Sequence, residues 1–107
     1  MYELVFSKII YEDIDKSYNY IKKILEAPKA AENLIEELLD KLNYLKETPY
    51  TRPLVQDKFL ASLGIRSIKV KNYVLYYSTE EIQKKVNIIR FLYNKRDWMN
   101  ILANTAH

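Results

Sequence analysis

The run Gly64-Ile65-Arg66-Ser67-Ile68-Lys69-Val70-Lys71-Asn72-Tyr73-Val74-Leu75-Tyr76-Tyr77-Ser78 decides how this chain folds. From Ile65 to Val70, side chains of differing polarity alternate with the period of two that marks a strand with one buried face. Arg66, Ile68 and Val70 share one face, and Ser67, Lys69 and Lys71 share the other. Residues 73–78 are rich in Tyr, Val and Leu and read as the next strand. Lys71-Asn72 between them has the length of a two-residue hairpin turn, and Asn tolerates the positive φ such turns use. Gly64, the only glycine in the chain, suits the left-handed end of a preceding helical turn. Asp57 is placed to cap that turn, which carries Phe59, Leu60 and Leu63.

Downstream of the hairpin, Thr79-Glu80-Glu81 turns the chain, and residues 85–92 read as a further strand. Asn94 suits the cap of a last helix bearing Trp98, Ile101 and Leu102, with Trp98 packing helix against sheet. Upstream, residues 2–6 form a short run of β-formers and are expected to be the first strand. Ser7 is a candidate helix cap. Ile10, Ile14, Tyr18, Ile21 and Leu25 then recur at steps of three and four, one face of a helix with Asp13, Asp15, Lys16, Lys22 and Lys23 off it. Ala27-Pro28 separates this helix from a second, whose stripe is Ala31, Leu34, Ile35, Leu38, Leu42 and Leu45. Thr48-Pro49 ends it. The expected fold is α+β with the order β-α-α-β-β-β-α, a helical hairpin packed on a small antiparallel sheet. Its 107 residues suit one domain spanning 1–107.

Composition removes several kinds of chemistry. There are no cysteines, and the single histidine is His107. Disulfides, thiolate metal sites, His-based triads and multi-His metal centres are therefore excluded, and no cofactor is expected. One glycine leaves no phosphate-binding glycine loop. No apolar run reaches the ~20 residues that span a bilayer, and the N-terminus lacks the pattern of a signal peptide. The expected location is the cytoplasm, with no membrane partner.

Charge is uneven. Residues 64–107 hold eight Lys/Arg against three acids, a balance of +5 that leaves −2 on residues 1–63 of the net +3. A basic half suggests a surface that meets an anion. The Ser67/Lys69/Lys71 face is expected to be open and cationic. Arg66 and Arg90 fall by parity on apolar faces, where an ion-pair anchor to a helix acid competes with a functional role. Tyr93, Lys95 and Arg96 fall where the last strand meets its turn, a usual place for functional groups. A catalyst without His, Cys or metal can still cleave RNA. The 2′-hydroxyl is the nucleophile, and the protein orients it, moves a proton and stabilises the developing phosphorane. Arg66, Arg90, Tyr93 and Arg96 are the candidate catalytic set, with Lys69, Lys71 and Lys95 as RNA-backbone contacts.

The element order, Ala27-Pro28-Lys29-Ala30-Ala31, Gly64-Ile65-Arg66, Val70-Lys71-Asn72-Tyr73 and above all Arg90-Phe91-Leu92-Tyr93-Asn94-Lys95-Arg96-Asp97-Trp98 resemble the RelE/ParE superfamily of toxins. The resemblance covers nearly the whole chain. It implies the toxin of a type II toxin–antitoxin module, neutralised by a cognate antitoxin whose C-terminal segment wraps around it. RelE-like members bind the ribosome and cleave mRNA, whereas ParE-like members inhibit DNA gyrase and are not nucleases. The nucleases often carry a catalytic Arg early in the third strand, where this chain has Val74, and a Tyr or His in the C-terminal helix, where it has Trp98 and Met99. The expectation is a metal-independent endoribonuclease that arrests growth through ribosome-dependent mRNA cleavage; the alternative is a gyrase inhibitor. Acids of the antitoxin are expected to meet Arg66, Lys69 or Arg96.

Overall fold

The computed structural model describes residues 1–94. The predicted last helix after Asn94, with Trp98, and the candidates Lys95 and Arg96 lie outside the described residues. Within them the order is β1 (Glu3–Phe6), α1 (Lys8–Asn19), a π-helical turn (Tyr20–Ile24), α2 (Pro28–Glu47), α3 (Lys58–Ser62), β2 (Arg66–Val70), β3 (Tyr73–Glu80) and β4 (Lys85–Tyr93). The architecture is α+β, helices against a four-stranded sheet of order β1-β4-β3-β2.

β2, β3 and β4 pair antiparallel, as their short connections require. β1 pairs parallel to β4, so the sheet is mixed. The whole helical hairpin lies between β1 and the other strands in sequence, which gives the long crossover a parallel pair needs. The order of elements alone does not show which edge β1 takes.

The hairpin turn holds a correction. The residue with positive φ is Lys71, at 55°, and not Asn72. Its amide donates to Glu37 Oε2 of α2 at 2.8 Å, and the Asn94 amide donates to the Asn72 carbonyl at 2.9 Å. These bonds tie the turn to the helix and to the end of β4. Gly64, at φ 79°, and the Asp57 cap, which accepts from the Leu60 amide at 2.9 Å, stand as expected. Ser7 does not cap α1 with its side chain; its hydroxyl donates to the Ile89 carbonyl at 2.8 Å and fastens the end of β1 to β4.

The main core fills the space between helices and sheet. Leu34, Leu38, Leu42 and Leu45 from α2 meet Ile68, Val70, Leu75, Tyr77, Val86, Ile88 and Phe91. Ala31 and the four leucines of the expected α2 stripe are buried, while Ile35 is only half-buried. α1 departs from expectation. Its buried residues are Ile10, Asp13 and Ser17, while Leu25 is 54% exposed. Asp13 was expected off the packed face, but its ion pair with Arg90 of β4 holds it buried beside Ile10, while Ile14 and Ile21 of the expected face still pack against the core.

A second apolar cluster lies on the other side of the sheet. Leu60, Ile65, Tyr76 and Leu92 form it, with Val55, Val74 and Ile89 packed against them. This corrects the expectation of an open cationic floor. Lys69 pairs across the sheet with Val74, and Ser67 with Tyr76, so apolar side chains share that face. The loop carrying α3 exists to cover them, because a sheet apolar on both faces needs a layer on each.

Candidate functional site

Arg90 stands at an irregularity. Tyr76 pairs with Arg90 and Tyr77 with Ile88, leaving Ile89 as the extra residue of a β-bulge. Ile89 packs into the second cluster, Phe91 enters the main core, and Arg90 reaches α1. There its Nε and Nη2 donate to the two carboxylate oxygens of Asp13 at 2.8 and 2.9 Å. Asp13 Oδ2 also accepts the Phe91 amide at 3.0 Å. The two side chains are only 11% and 6% exposed. This is a forked, charge-assisted pair that joins helix to sheet. It fulfils the anchor reading of Arg90, with the fork held against a carboxylate.

Beside the pair opens a cleft of about 920 Å³ between the π-helical turn, the start of α2, the β2–β3 turn and the end of β4. Its walls include Lys16, Tyr20, Asn33, Lys71, Tyr73 and Tyr93. The π-helical turn arises where the Leu25 amide donates back five residues to the Tyr20 carbonyl at 3.1 Å. Glu26, at φ 51°, then redirects the chain into α2. Tyr93 is 40% exposed and meets the Tyr73 ring edge-on, with centroids 5.6 Å apart. Lys71 Nζ lies 3.7 Å from Glu37 Oε1. Lys69 is exposed on β2.

Arg66 belongs to a different place. It pairs with Tyr77, four residues along β3 from the Tyr73 that pairs with Tyr93. At ~3.3 Å per residue this is about 13 Å along the sheet, and the two residues flank β3 on opposite sides. Arg66, Arg90 and Tyr93 are therefore not brought into one site. The guanidinium of Arg66 instead lies 5.3 Å from the centre of the Tyr50 ring, and its Nη1 donates to the Arg52 carbonyl.

Tyr50 leads to a cluster that the sequence did not disclose. Glu81, in the β3–β4 turn, accepts the Tyr2 phenol at 2.7 Å and the Tyr50 phenol at 2.9 Å, both on Oε2. Its Oε1 pairs with Lys84. The Tyr2 and Tyr50 rings meet edge-on at 6.3 Å, and the Lys84 ammonium lies 5.1 Å from the Tyr2 ring centre. The hydrogen bond from Lys84, then those from Tyr2 and Tyr50, pull the Glu81 carboxyl down to about 2. The same carboxylate raises both phenols. Burial, by contrast, is what lifts Tyr76 and Tyr77 to about 12. Among the described residues no group of three or more His, Cys, Asp and Glu side chains is arranged to hold a metal.

The sequence model for the ParE toxin of type II toxin–antitoxin systems matches residues 4–98. The chain belongs to the ParE toxin family. A comparison with curated protein sequences gives no significant match. Among solved structures, the chromosomal ParDE toxin–antitoxin system from P. aeruginosa is similar, with a TM-score of 0.68 at 15% identity. That match covers 87% of this chain and 96% of the other. The RelBE2 toxin–antitoxin complex from Mycobacterium tuberculosis gives a TM-score of 0.58 at 19% identity, covering 86% of this chain and 96% of the other. At such identities the likeness is one of fold. In this ParE-family chain, Val74 stands in the second apolar cluster beside Leu92.

Proposed function

We propose that this type II toxin arrests growth by inhibiting DNA gyrase and is held silent by a cognate antitoxin. The ParE match over residues 4–98 carries the reading. The site geometry supports it. Phosphoryl transfer needs its groups preorganised around one reacting centre. Here Arg90 holds Asp13, Arg66 and Tyr93 are separated along β3, and position 74 is an apolar packing residue. That arrangement weighs against the expected endoribonuclease. The two solved structures described above come from toxin–antitoxin pairs, which supports an antitoxin partner.

The test uses purified toxin with purified gyrase and relaxed plasmid. Loss of supercoiling, restored by adding the protein encoded beside the toxin, is the expected result. Uninhibited supercoiling at excess toxin, together with new cleavage sites in translated mRNA after induction, would replace the reading with the RelE-like one.

A further inference from the structure

We infer that the Tyr2–Tyr50–Arg66–Glu81–Lys84 cluster is the surface with which this toxin grips its target, and that it fits a protein surface with an acidic rim. The inference rests on the gyrase reading and adds to it the place of contact.

Four separate segments converge here: the start of the chain, the loop after α2, the first residue of β2 and the β3–β4 turn. Convergence of this kind in a core would be explained by packing. Here Glu81, Lys84 and Arg52 are exposed and Tyr50 is 47% exposed. Exposed ion pairs and hydrogen bonds contribute little to stability. What they do accomplish is to hold Tyr and Arg side chains in one arrangement before any partner arrives. Tyr and Arg are the residues on which binding energy concentrates in protein interfaces. Holding them in advance removes part of the ordering cost of association.

The chemistry favours protein over nucleic acid. Glu81 stays ionised at the centre and would face a phosphate backbone with like charge. Lys84 is turned to Glu81 and an Arg66 nitrogen to a carbonyl, so the cations do not converge on a common point in front of the cluster. Tyr2 and Tyr50 pack edge to face, leaving no parallel pair of faces to take a base between them. Arg52, Arg66 and Lys84 still exceed Glu81 in charge, and a partner with carboxylates around its contact would complement them.

The cluster also stands apart from the cleft. Glu81 lies beyond the Lys85 end of β4, whereas Tyr93 closes the other end, roughly 26 Å away at ~3.3 Å per residue. A variant here can therefore lose its target while the cleft stays unchanged.

The experiment compares wild type, Tyr50→Ala, Arg66→Glu, Tyr50→Phe and, as an exposed cation on α3 outside the cluster, Lys58→Glu. Each is read for thermal midpoint, for half-inhibition of gyrase supercoiling and for growth arrest on induction. Tyr50→Ala and Arg66→Glu are expected to raise the half-inhibitory concentration roughly thirtyfold, as loss of an interface hot spot does. Tyr50→Phe keeps the ring and shifts it about threefold or less, and Lys58→Glu leaves it near wild type. Wild-type inhibition by Tyr50→Ala and Arg66→Glu at unchanged thermal midpoint would overturn the inference while leaving the gyrase reading intact. An equal loss in Lys58→Glu would overturn it in favour of diffuse electrostatics. Wild-type toxin that arrests growth but does not touch gyrase would sink the function itself. In that case loss of RNA cleavage in Arg66→Glu would assign the cluster to nucleic acid and overturn the protein partner.

Discussion

Replacing Asp13 with Ala tests the join between α1 and the sheet. The substitution leaves the Arg90 guanidinium, in a side chain only 11% exposed, without its carboxylate. It also removes the acceptor of the Phe91 amide, bonded at 3.0 Å in a buried strand. Removing one member of a buried pair costs about 3–5 kcal/mol, and the orphaned amide alone accounts for about 1–3 of such a loss. The expected cost is therefore about 4 kcal/mol, a large share of the ~5–15 kcal/mol that holds a domain folded. In urea, with m of about 2 kcal/mol/M, the midpoint should fall by about 2 M at unchanged slope. Asp13→Asn keeps an acceptor and should cost less than Asp13→Ala. In the double variant Asp13→Ala/Arg90→Met the loss should be smaller than the sum of the singles by at least about 1.5 kcal/mol, since each single strands the other's charge. A cost below about 1 kcal/mol for Asp13→Ala, or strict additivity, would refute the anchor reading. An Arg90→Met protein as stable as wild type but inactive on RNA would return Arg90 to the catalytic set.

Two further outcomes follow from local geometry. The Glu81 carboxyl, followed by NMR, should titrate near 2 in wild type and move up toward the ordinary carboxylate range in Lys84→Met, because the Lys84 hydrogen bond is the largest cause of its depression. Since its folded value is depressed, any stability it contributes is present above about 4.5 and is lost as pH falls toward 2; equal titration in the two proteins would contradict the cluster. Gly64→Ala should cost about 1–2 kcal/mol by thermal or urea unfolding: at φ 79° the penalty is one of backbone, since an added Cβ would meet nothing within 4 Å. A neutral result would mean that the end of α3 relaxes to a negative φ.

Much of the architecture is readable in the chain because it depends on local period. The β2–β3 hairpin, the leucine stripe of α2, the Asp57 cap and the stop at Gly64 each follow from residues within a few positions of one another. The sheet edge taken by β1 does not, because a parallel neighbour is chosen by long-range packing. Arg66 and Arg90 were both legible as possible anchors, yet parity left open what either would meet. Asp13 looked like a surface acid on the α1 helix because period alone is blind to a buried partner 77 residues away. The π-helical turn is likewise invisible to a 3.6-residue stripe, which carried Leu25 onto a face it does not reach.

The chain by itself determined an α+β fold, a toxin family, and a chemistry without cysteine, internal histidine or glycine loop, since these rest on composition and on residues adjacent in sequence. Only the tertiary structure decided how its cations are employed. It set Arg90 into α1 through a bulge, placed Arg66 over Tyr50, and gathered Tyr2, Tyr50 and Lys84 around Glu81 from segments as far as 79 residues apart. Charge and aromatic content can be counted along a chain. Which carboxylate a guanidinium meets depends on register and helix rotation, and those come from packing the whole core at once.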